Sequence, residues 1–191
     1  MAAQPQQGLD GKQLYDIEEV RREAKQSIVR GAVTEDYPLD LTTAHQLMNE
    51  ALAAEIMCVL RYRHHQIIAK GIDWPQVAAQ FEEHADEEQR HMMMIAERID
   101  QLGGDPDFNP ATIGGRASTE YGDSRALWDL VKDDLVAERV VIEIYRRLIR
   151  WFGNADPTSR RMFEKILADE EDHANDLADL IAAIDPRTPP Q

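Results

Sequence analysis

Two short segments, residues 86–91 (DEEQRH) and 168–173 (ADEEDH), each contain a glutamate followed three residues later by a histidine. Residues three apart lie on one face of a helix, so each pair presents a carboxylate and an imidazole to the same point. The pairs are Glu88 with His91 and Glu170 with His173. One such pair arises easily by chance on a solvated helix face, but this chain carries two.

A lone glutamate precedes each pair in a similar context. Glu55 ends the segment LAAE, 33 residues before the first pair, and Glu138 ends LVAE, 32 residues before the second. A tyrosine follows each lone glutamate by seven residues, Tyr62 in one half and Tyr145 in the other. The chain is therefore interpreted as a duplicated helix pair. Four carboxylates and two imidazoles that converge inside a four-helix bundle form a dinuclear metal site.

Apolar periodicity and turn residues predict four long helices, over about residues 40–70, 74–102, 124–152 and 157–184. Thr42 or Thr43 is expected to cap the first of them. Short turns join the first two helices and the last two, so each pair is predicted to be an antiparallel hairpin. The connection between the hairpins, residues 105–123, is rich in Pro, Gly and Asn and long enough to return along the bundle. The predicted fold class is all-α.

The ends of the chain are predicted to lie outside the bundle. Residues 11–31 carry apolar side chains at spacings of three and four and predict one narrow amphipathic helix that ends at Gly31. The expected organisation is an N-terminal tail and helix (1–39), a four-helix bundle (40–185) and a Pro-rich tail (186–191) that cannot continue a helix.

The glutamates of the two halves are predicted on buried helix stripes. Apolar residues share the face of each lone glutamate: Met48, Leu52 and Val59 beside Glu55, and Val131, Leu135 and Ile142 beside Glu138. A buried carboxylate costs several kcal/mol unless it is paired or binds a metal. Four of them would overwhelm a domain stability of about 5–15 kcal/mol. Oxygen ligands with one imidazole per metal favour iron, or manganese, over a thiolate zinc centre.

Pseudo-symmetry assigns the ligand roles. Each metal would have two terminal ligands: Glu55 with His91 for one, and Glu138 with His173 for the other. The remaining glutamates, Glu88 and Glu170, would bridge the two metals. Tyr62 and Tyr145 are expected to hydrogen-bond these bridging carboxylates, with core packing as the alternative role.

Other polar residues receive weaker assignments. His45, His64 and His65 fit no second ligand set and are interpreted as surface or interface residues. Three acidic residues near His84, namely Glu83, Asp86 and Glu87, form either an iron entry or nucleation patch or, as we favour, a solvated face. Four basic residues near the N-terminus, Arg21, Arg22, Lys25 and Arg30, are candidate DNA contacts, but glutamates interleave with them.

The formal net charge of −15 limits the partners of this chain. An acidic surface repels phosphate backbones and membrane headgroups and concentrates cations, so DNA and membranes are not expected partners. No apolar run approaches the roughly 18–20 residues that span a bilayer, and the N-terminus has no secretory-signal pattern. The single cysteine, Cys58, is interpreted as a small core residue and is typical of a reducing cytoplasm, where we expect the protein to act.

Over residues 40–184 the chain resembles the ferritin-like di-iron proteins, and most of all the bacterioferritins and their Dps-like relatives. The most specific segments are LAAEIMCVLRY (52–62), EQRH (88–91), AERI with LGG (96–104) and ILADEEDH (166–173). The resemblance implies a ferritin-like four-helix bundle with one long crossover. It also implies that the six matching residues bind a di-iron ferroxidase centre within one subunit. In that family Fe(II) is oxidised there by O2 or peroxide, and Fe(III) mineral is kept inside an oligomeric shell.

Departures from the family pattern refine these expectations. Gln89 stands where a bacterioferritin has its haem-ligating methionine, so haem is not expected. The chain ends soon after the fourth long helix, the N-terminal helix is an addition, and Cys58 has no second cysteine beside it in the sequence. Together these features favour a homo-oligomeric shell of twelve subunits over one of twenty-four.

Two alternatives stay open at this point. The first is another di-metal enzyme that consumes peroxide, a manganese catalase or a rubrerythrin-like peroxidase. The absence of a Cys-x-x-Cys module disfavours the second of these. The other alternative is a Dps-type protein that protects DNA by coating it, against which the net charge argues.

Overall fold

The computed structural model describes residues 15–70, 74–122 and 124–184, and within these ranges the chain is helical without strands. The helices described are α1 (Ile17–Glu23), α2 (Leu41–Ile68), α3 (Pro75–Gln101), α4 (Pro110–Arg116), α5 (Leu127–Phe152) and α6 (Pro157–Ile184). The chain divides into two units, one ending at Tyr37 and the other beginning at Pro38. The predicted all-α class is confirmed.

Two helical hairpins build the second unit. Helix α2 packs along α3, and α5 packs along α6, while contacts between α3 and α6 and between α2 and α5 join the hairpins. The N-cap of α2 is Asp40, whose carboxylate accepts hydrogen bonds from the Thr43 backbone N–H and hydroxyl. The expectation that a threonine caps this helix was therefore wrong, because Thr43 is the donor to an aspartate that binds both of its polar groups.

The connection between the hairpins is more ordered than its composition suggests. It contains α4, which begins with Asn109 as N-cap and Pro110 at the first position. Arg116 donates to the Asn49 carbonyl of α2 at 2.8 Å, and the Asn49 amide oxygen accepts from the Asp107 N–H. These bonds hold the crossover against α2, at the end of the bundle where α2 begins.

The first unit differs from the predicted single helix over residues 11–31. Residues 11–14 lie outside the described ranges, and α1 ends at Glu23, before a separate 3-10 turn over Ile28–Arg30. Ser27 has a positive φ of 44°, which breaks the helical path. The apolar stripe is exposed in this unit, at Ile17 and Val20 among others. Without tertiary burial a helix this short is marginal, so the chain turns where local residues favour a turn.

A buried ionic cluster lies between α2 and α5. Arg61 Nε donates to Asp134 Oδ1 at 2.7 Å, and His65 Nδ1 lies 2.7 Å from Asp134 Oδ2. All three side chains are at most 1% exposed. The assignment of His65 as a surface or interface residue was therefore wrong, because Asp134 offers it a buried partner within the chain. Cys58 is buried beside this cluster, as expected.

Among the described helices, none combines the length and the apolar composition that a bilayer span requires.

Candidate metal centre

The six residues chosen from the sequence converge in the middle of the bundle. They fall into two groups whose ligand atoms lie within 4.8 Å of one another: Glu55, Glu88, His91 and Glu170 in one group, and Glu88, Glu138, Glu170 and His173 in the other. Each of the six side chains is at most 2% exposed. Two glutamates, Glu88 and Glu170, belong to both groups, which is the position required of bridging ligands.

Each imidazole faces carboxylates through Nδ1. His91 Nδ1 lies 3.1 Å from Glu170 and 3.6 Å from Glu55, and His173 Nδ1 lies 3.3 Å from Glu88 and 3.4 Å from Glu170. The glutamates come from four different helices, since α2 carries Glu55, α3 Glu88, α5 Glu138 and α6 Glu170. Both hairpins are therefore needed to complete either group.

Buried polar atoms without hydrogen-bond partners test whether a metal fits here. Such atoms occur on all six residues: Glu55 Oε2, Glu88 Oε1, Glu138 Oε2, both carboxylate oxygens of Glu170, and Nδ1 of His91 and of His173. An unpaired buried donor or acceptor costs about 1–3 kcal/mol, and more when the group is charged. Seven buried ligand atoms that face a shared interior without a hydrogen bond fit a pair of divalent cations, which would replace the protons held there.

The electrostatics of the site follow from crowding four carboxylates out of water. Burial raises the pKa of Glu55 well above its ordinary value, and Glu88 and Glu170 add to that rise. Burial and the same two neighbours also raise the pKa of Glu138. Burial acts to raise the pKa of Glu88 too, but the imidazoles of His173 and His91 outweigh it and hold that pKa well below its usual range.

The imidazoles respond in the opposite direction. Burial acts to lower the pKa of His173, but Glu170 and Glu88 outweigh it and raise that pKa to about 12. Burial also acts to lower the pKa of His91, but the carboxylates of Glu170, Glu55 and Glu88 outweigh it and raise that pKa. Without metals, protons therefore neutralise part of the negative charge of the site. Metal binding must displace them, as it does at ordinary protein metal sites.

The two tyrosines lie beside the site but hydrogen-bond other glutamates than expected. Tyr62 donates to Glu138, and Tyr145 donates to Glu55. Each tyrosine therefore binds the lone glutamate of the opposite hairpin and not a bridging carboxylate. Both hydroxyls are fully buried, so these bonds orient the terminal carboxylates from outside the metal groups.

Two further carboxylates contact the outer nitrogens of the imidazoles, and we had not assigned them this role. Asp169 Oδ2 lies 3.0 Å from His91 Nε2, and Glu87 Oε2 lies 2.8 Å from His173 Nε2. Each carboxylate accepts the Nε2 proton of a histidine on the opposite hairpin, which leaves Nδ1 free for a metal. The sequence signal was an acidic residue directly before the glutamate of both Glu-x-x-His pairs.

Removing these outer carboxylates is expected to weaken metal binding without unfolding the bundle. Glu87→Gln and Asp169→Asn leave the imidazole tautomer undetermined, and we expect each to lower affinity for divalent cations about 10–100-fold. Calorimetric titration with Co(II) measures this loss. Glu143→Gln on the exposed side of α5 is the matched control, and equal affinities in all three variants would contradict the assignment.

The remaining candidates lie outside the six-residue centre. His84 is buried, and its ring stacks on His173. Glu83 and Asp86 are exposed and Glu87 is half-buried, in agreement with the solvated face expected for them. Asp86 pairs with Arg63, and Glu87 pairs with Arg90 in addition to its contact with His173. In α1, the basic residues Arg21 and Arg22 pair with Glu18 and Glu19.

Comparisons with known proteins identify the family. A bacterioferritin of Mycobacterium leprae (strain TN) is 29% identical over 138 residues, which cover 72% of this chain and 82% of that protein. A nutrient stress-induced DNA-binding protein of Nostoc sp. (strain PCC 7120 / SAG 25.82 / UTEX 2576) is 28% identical over 139 residues, covering 71% of this chain and 75% of that one.

A solved structure supports the same relationship. The bacterioferritin-related protein of Bacteroides fragilis, described as a dodecameric thioferritin, superimposes with a TM-score of 0.73 at 30% identity, covering 76% of this chain and 88% of that chain. The family described as the ferritin-like domain matches residues 45–186, a range that contains both metal groups. The resemblance inferred from the sequence is confirmed, and the chain belongs to the ferritin-like domain family.

Proposed function

We propose that this protein is a ferroxidase, which oxidises Fe(II) to Fe(III) at a di-iron centre within each chain. The observation that supports this is the set of buried, unpartnered ligand atoms on all six residues of the centre. The ion pairs among the six leave those atoms without a hydrogen bond, whereas two cations shared through Glu88 and Glu170 would bind them. Glu55 with His91, and Glu138 with His173, are the terminal ligands in this proposal.

Iron is the substrate of the reaction, and the oxidant is O2 or H2O2. Oxidation of two Fe(II) releases two electrons, which reduce one O2 with two protons to H2O2, or one H2O2 with two protons to two waters. The four carboxylates favour the higher charge of Fe(III) over that of Fe(II) and so promote electron loss. In a dry interior this charge preference is stronger than in water.

The side chains around the six ligands keep the site in shape during turnover. Tyr62 and Tyr145 hold the terminal glutamates, and Glu87 and Asp169 hold the imidazoles. All four contacts join one hairpin to the other, so the geometry of the centre depends on the packing of the two hairpins. Manganese could occupy the same oxygen-rich ligand set.

We further propose that the chain assembles into a homo-oligomeric shell that stores or detoxifies iron and protects against peroxide. The Bacteroides fragilis relative is described as dodecameric, which supports twelve subunits over twenty-four. The reducing cytoplasm is the proposed location, because the single cysteine is free and buried. The Nostoc relative is named as a DNA-binding protein, which supports a DNA-coating role as the alternative. The net charge of −15 and the pairing of Arg21 and Arg22 with glutamates disfavour that role.

Rapid mixing of metal-free protein with Fe(II), followed by O2 or H2O2, tests the ferroxidase. We expect a fast rise of Fe(III) absorbance that saturates at two irons per chain, because the centre comprises two ligand groups. Bovine serum albumin at equal concentration is the control for oxidation by buffer. A rate equal to that control would contradict the proposal, and O2 release from H2O2 by manganese-loaded protein would favour a catalase instead.

A further inference from the structure

Three contacts between an imidazole and a carboxylate follow one another along the seam of α3 and α6. His91 with Asp169 and His173 with Glu87 are the two that orient proposed metal ligands. The third is His84, whose Nε2 lies 3.4 Å from Asp176 Oδ2. His84 is 1% exposed and Asp176 is 52% exposed, so this third contact leads from the interior to solvent.

His84 breaks the pseudo-symmetry of the two halves. It lies four residues before Glu88, and the position four residues before Glu170 is Ile166, which is fully buried. The His84 ring stacks on His173 with centroids 4.1 Å apart and an interplanar angle of 21°. The His173 half of the dinuclear centre therefore adjoins a third imidazole, whereas an aliphatic side chain occupies the matching position of the other half.

Gln80 completes a set of three polar groups at this place. Its amide nitrogen lies 2.8 Å from His84 Nε2 and 2.8 Å from Asp176 Oδ2. The amide N–H groups thus donate to two acceptors, His84 Nε2 and Asp176 Oδ2. A cation placed between the same two acceptors would also be bound by both. Rotation of the terminal amide by about 180° exchanges its nitrogen for its oxygen and would present three lone-pair atoms to one point.

The spacing of these atoms fits a first-row divalent cation. Bonds of about 2.1 Å to nitrogen and oxygen give ligand separations of roughly 3.0 Å in an octahedron and 3.4 Å in a tetrahedron. The three separations observed are 2.8, 2.8 and 3.4 Å. Imidazole with carboxylate and carboxamide oxygens suits Fe(II), Co(II) or Zn(II).

We propose that Gln80, His84 and Asp176 bind a third divalent cation, on the solvent side of the His173 half of the dinuclear centre. The exposed carboxylate of Asp176 receives the ion from water, and His84 holds it next to His173. Fe(II) bound there is a reserve beside the His173 position, which has no equivalent at His91. The proposed binding site follows from the separations among these three side chains, and only its role as an iron reserve rests on the proposed function.

Co(II) is the probe for this site, because aqueous Co(II) near neutral pH is not oxidised by air as Fe(II) is. Equilibrium dialysis of the full chain is expected to give three Co(II) per chain, and anomalous diffraction is expected to place the third between Gln80, His84 and Asp176. Asp176→Asn should weaken the third Co(II) more than about tenfold and leave the first two unchanged. His84→Ile, which installs the residue of the other half, should remove it.

Asp129→Asn, an exposed aspartate on α5, is the matched control and should retain three Co(II). Two Co(II) per wild-type chain, a third peak at other residues, or an undiminished third site in Asp176→Asn would overturn the proposal. The outcomes separate this site from the ferroxidase. Slow iron oxidation with three bound Co(II) contradicts only the proposed function, and fast oxidation with two contradicts only the third site.

Discussion

Replacing Glu88 with glutamine is expected to slow Fe(II) oxidation by more than about 100-fold, because this carboxylate belongs to both metal groups. A neutral amide keeps the size of the side chain but removes a negative charge and one anionic ligand atom from each metal. Both positions weaken together, so the loss exceeds that of a terminal ligand such as Glu55. Stopped-flow absorbance at two Fe(II) per chain measures the rate.

The control for Glu88→Gln is Glu97→Gln, the same change on an exposed face of the same helix, α3. It should oxidise iron at the wild-type rate. Circular dichroism and sedimentation should show that both variants keep the helical fold and the assembly of the wild type. A Glu88→Gln protein that remains folded and oxidises Fe(II) within about tenfold of the wild-type rate would exclude Glu88 as a shared ligand.

The six proposed ligands were accessible from sequence because their signal is duplicated and periodic. Glu-x-x-His fixes two side chains on one helix face, and the second copy excludes chance as the explanation. The partners of the tyrosines were not accessible in the same way. Tyr62 lies seven residues after Glu55, which is about 10.5 Å along a helix, so it cannot reach that glutamate. Its actual partner, Glu138, follows from the register of α2 against α5, which helical periodicity within one segment does not encode.

The residues that sequence reasoning misplaced share a physical cause. His65 looks like an ordinary surface histidine in the sequence, but it is buried against Asp134, a polar partner on a helix distant in sequence. The N-terminal helix was overextended for the converse reason. Its apolar stripe is regular, but Ile17 and Val20 stay exposed among the described residues, and periodicity alone does not stabilise a short helix.

The second large effect is expected at Asp134, outside the metal centre. Asp134→Ala would leave the Arg61 guanidinium, which stays charged at any working pH, buried at 1% exposure without its carboxylate. Breaking a buried ion pair in this way costs about 3–5 kcal/mol, a large part of the stability of a single domain. His65 Nδ1 loses its partner at the same time, which adds to the cost. Urea unfolding of metal-free protein, at one fixed chain concentration, measures the change in free energy.

A second substitution separates a lost ion pair from a simple packing defect. The triple change Arg61→Met, His65→Phe and Asp134→Leu removes every polar group of the cluster at similar volume, and we expect it to recover most of the stability that Asp134→Ala loses. Asp129→Ala, on an exposed face of the same helix, should change the free energy of unfolding by less than about 0.5 kcal/mol. If Asp134→Ala cost no more than this control, Arg61 would have water or another partner within reach. If the triple variant were no more stable than Asp134→Ala, the loss would lie in packing, and the cluster would not be the ionic link between α2 and α5.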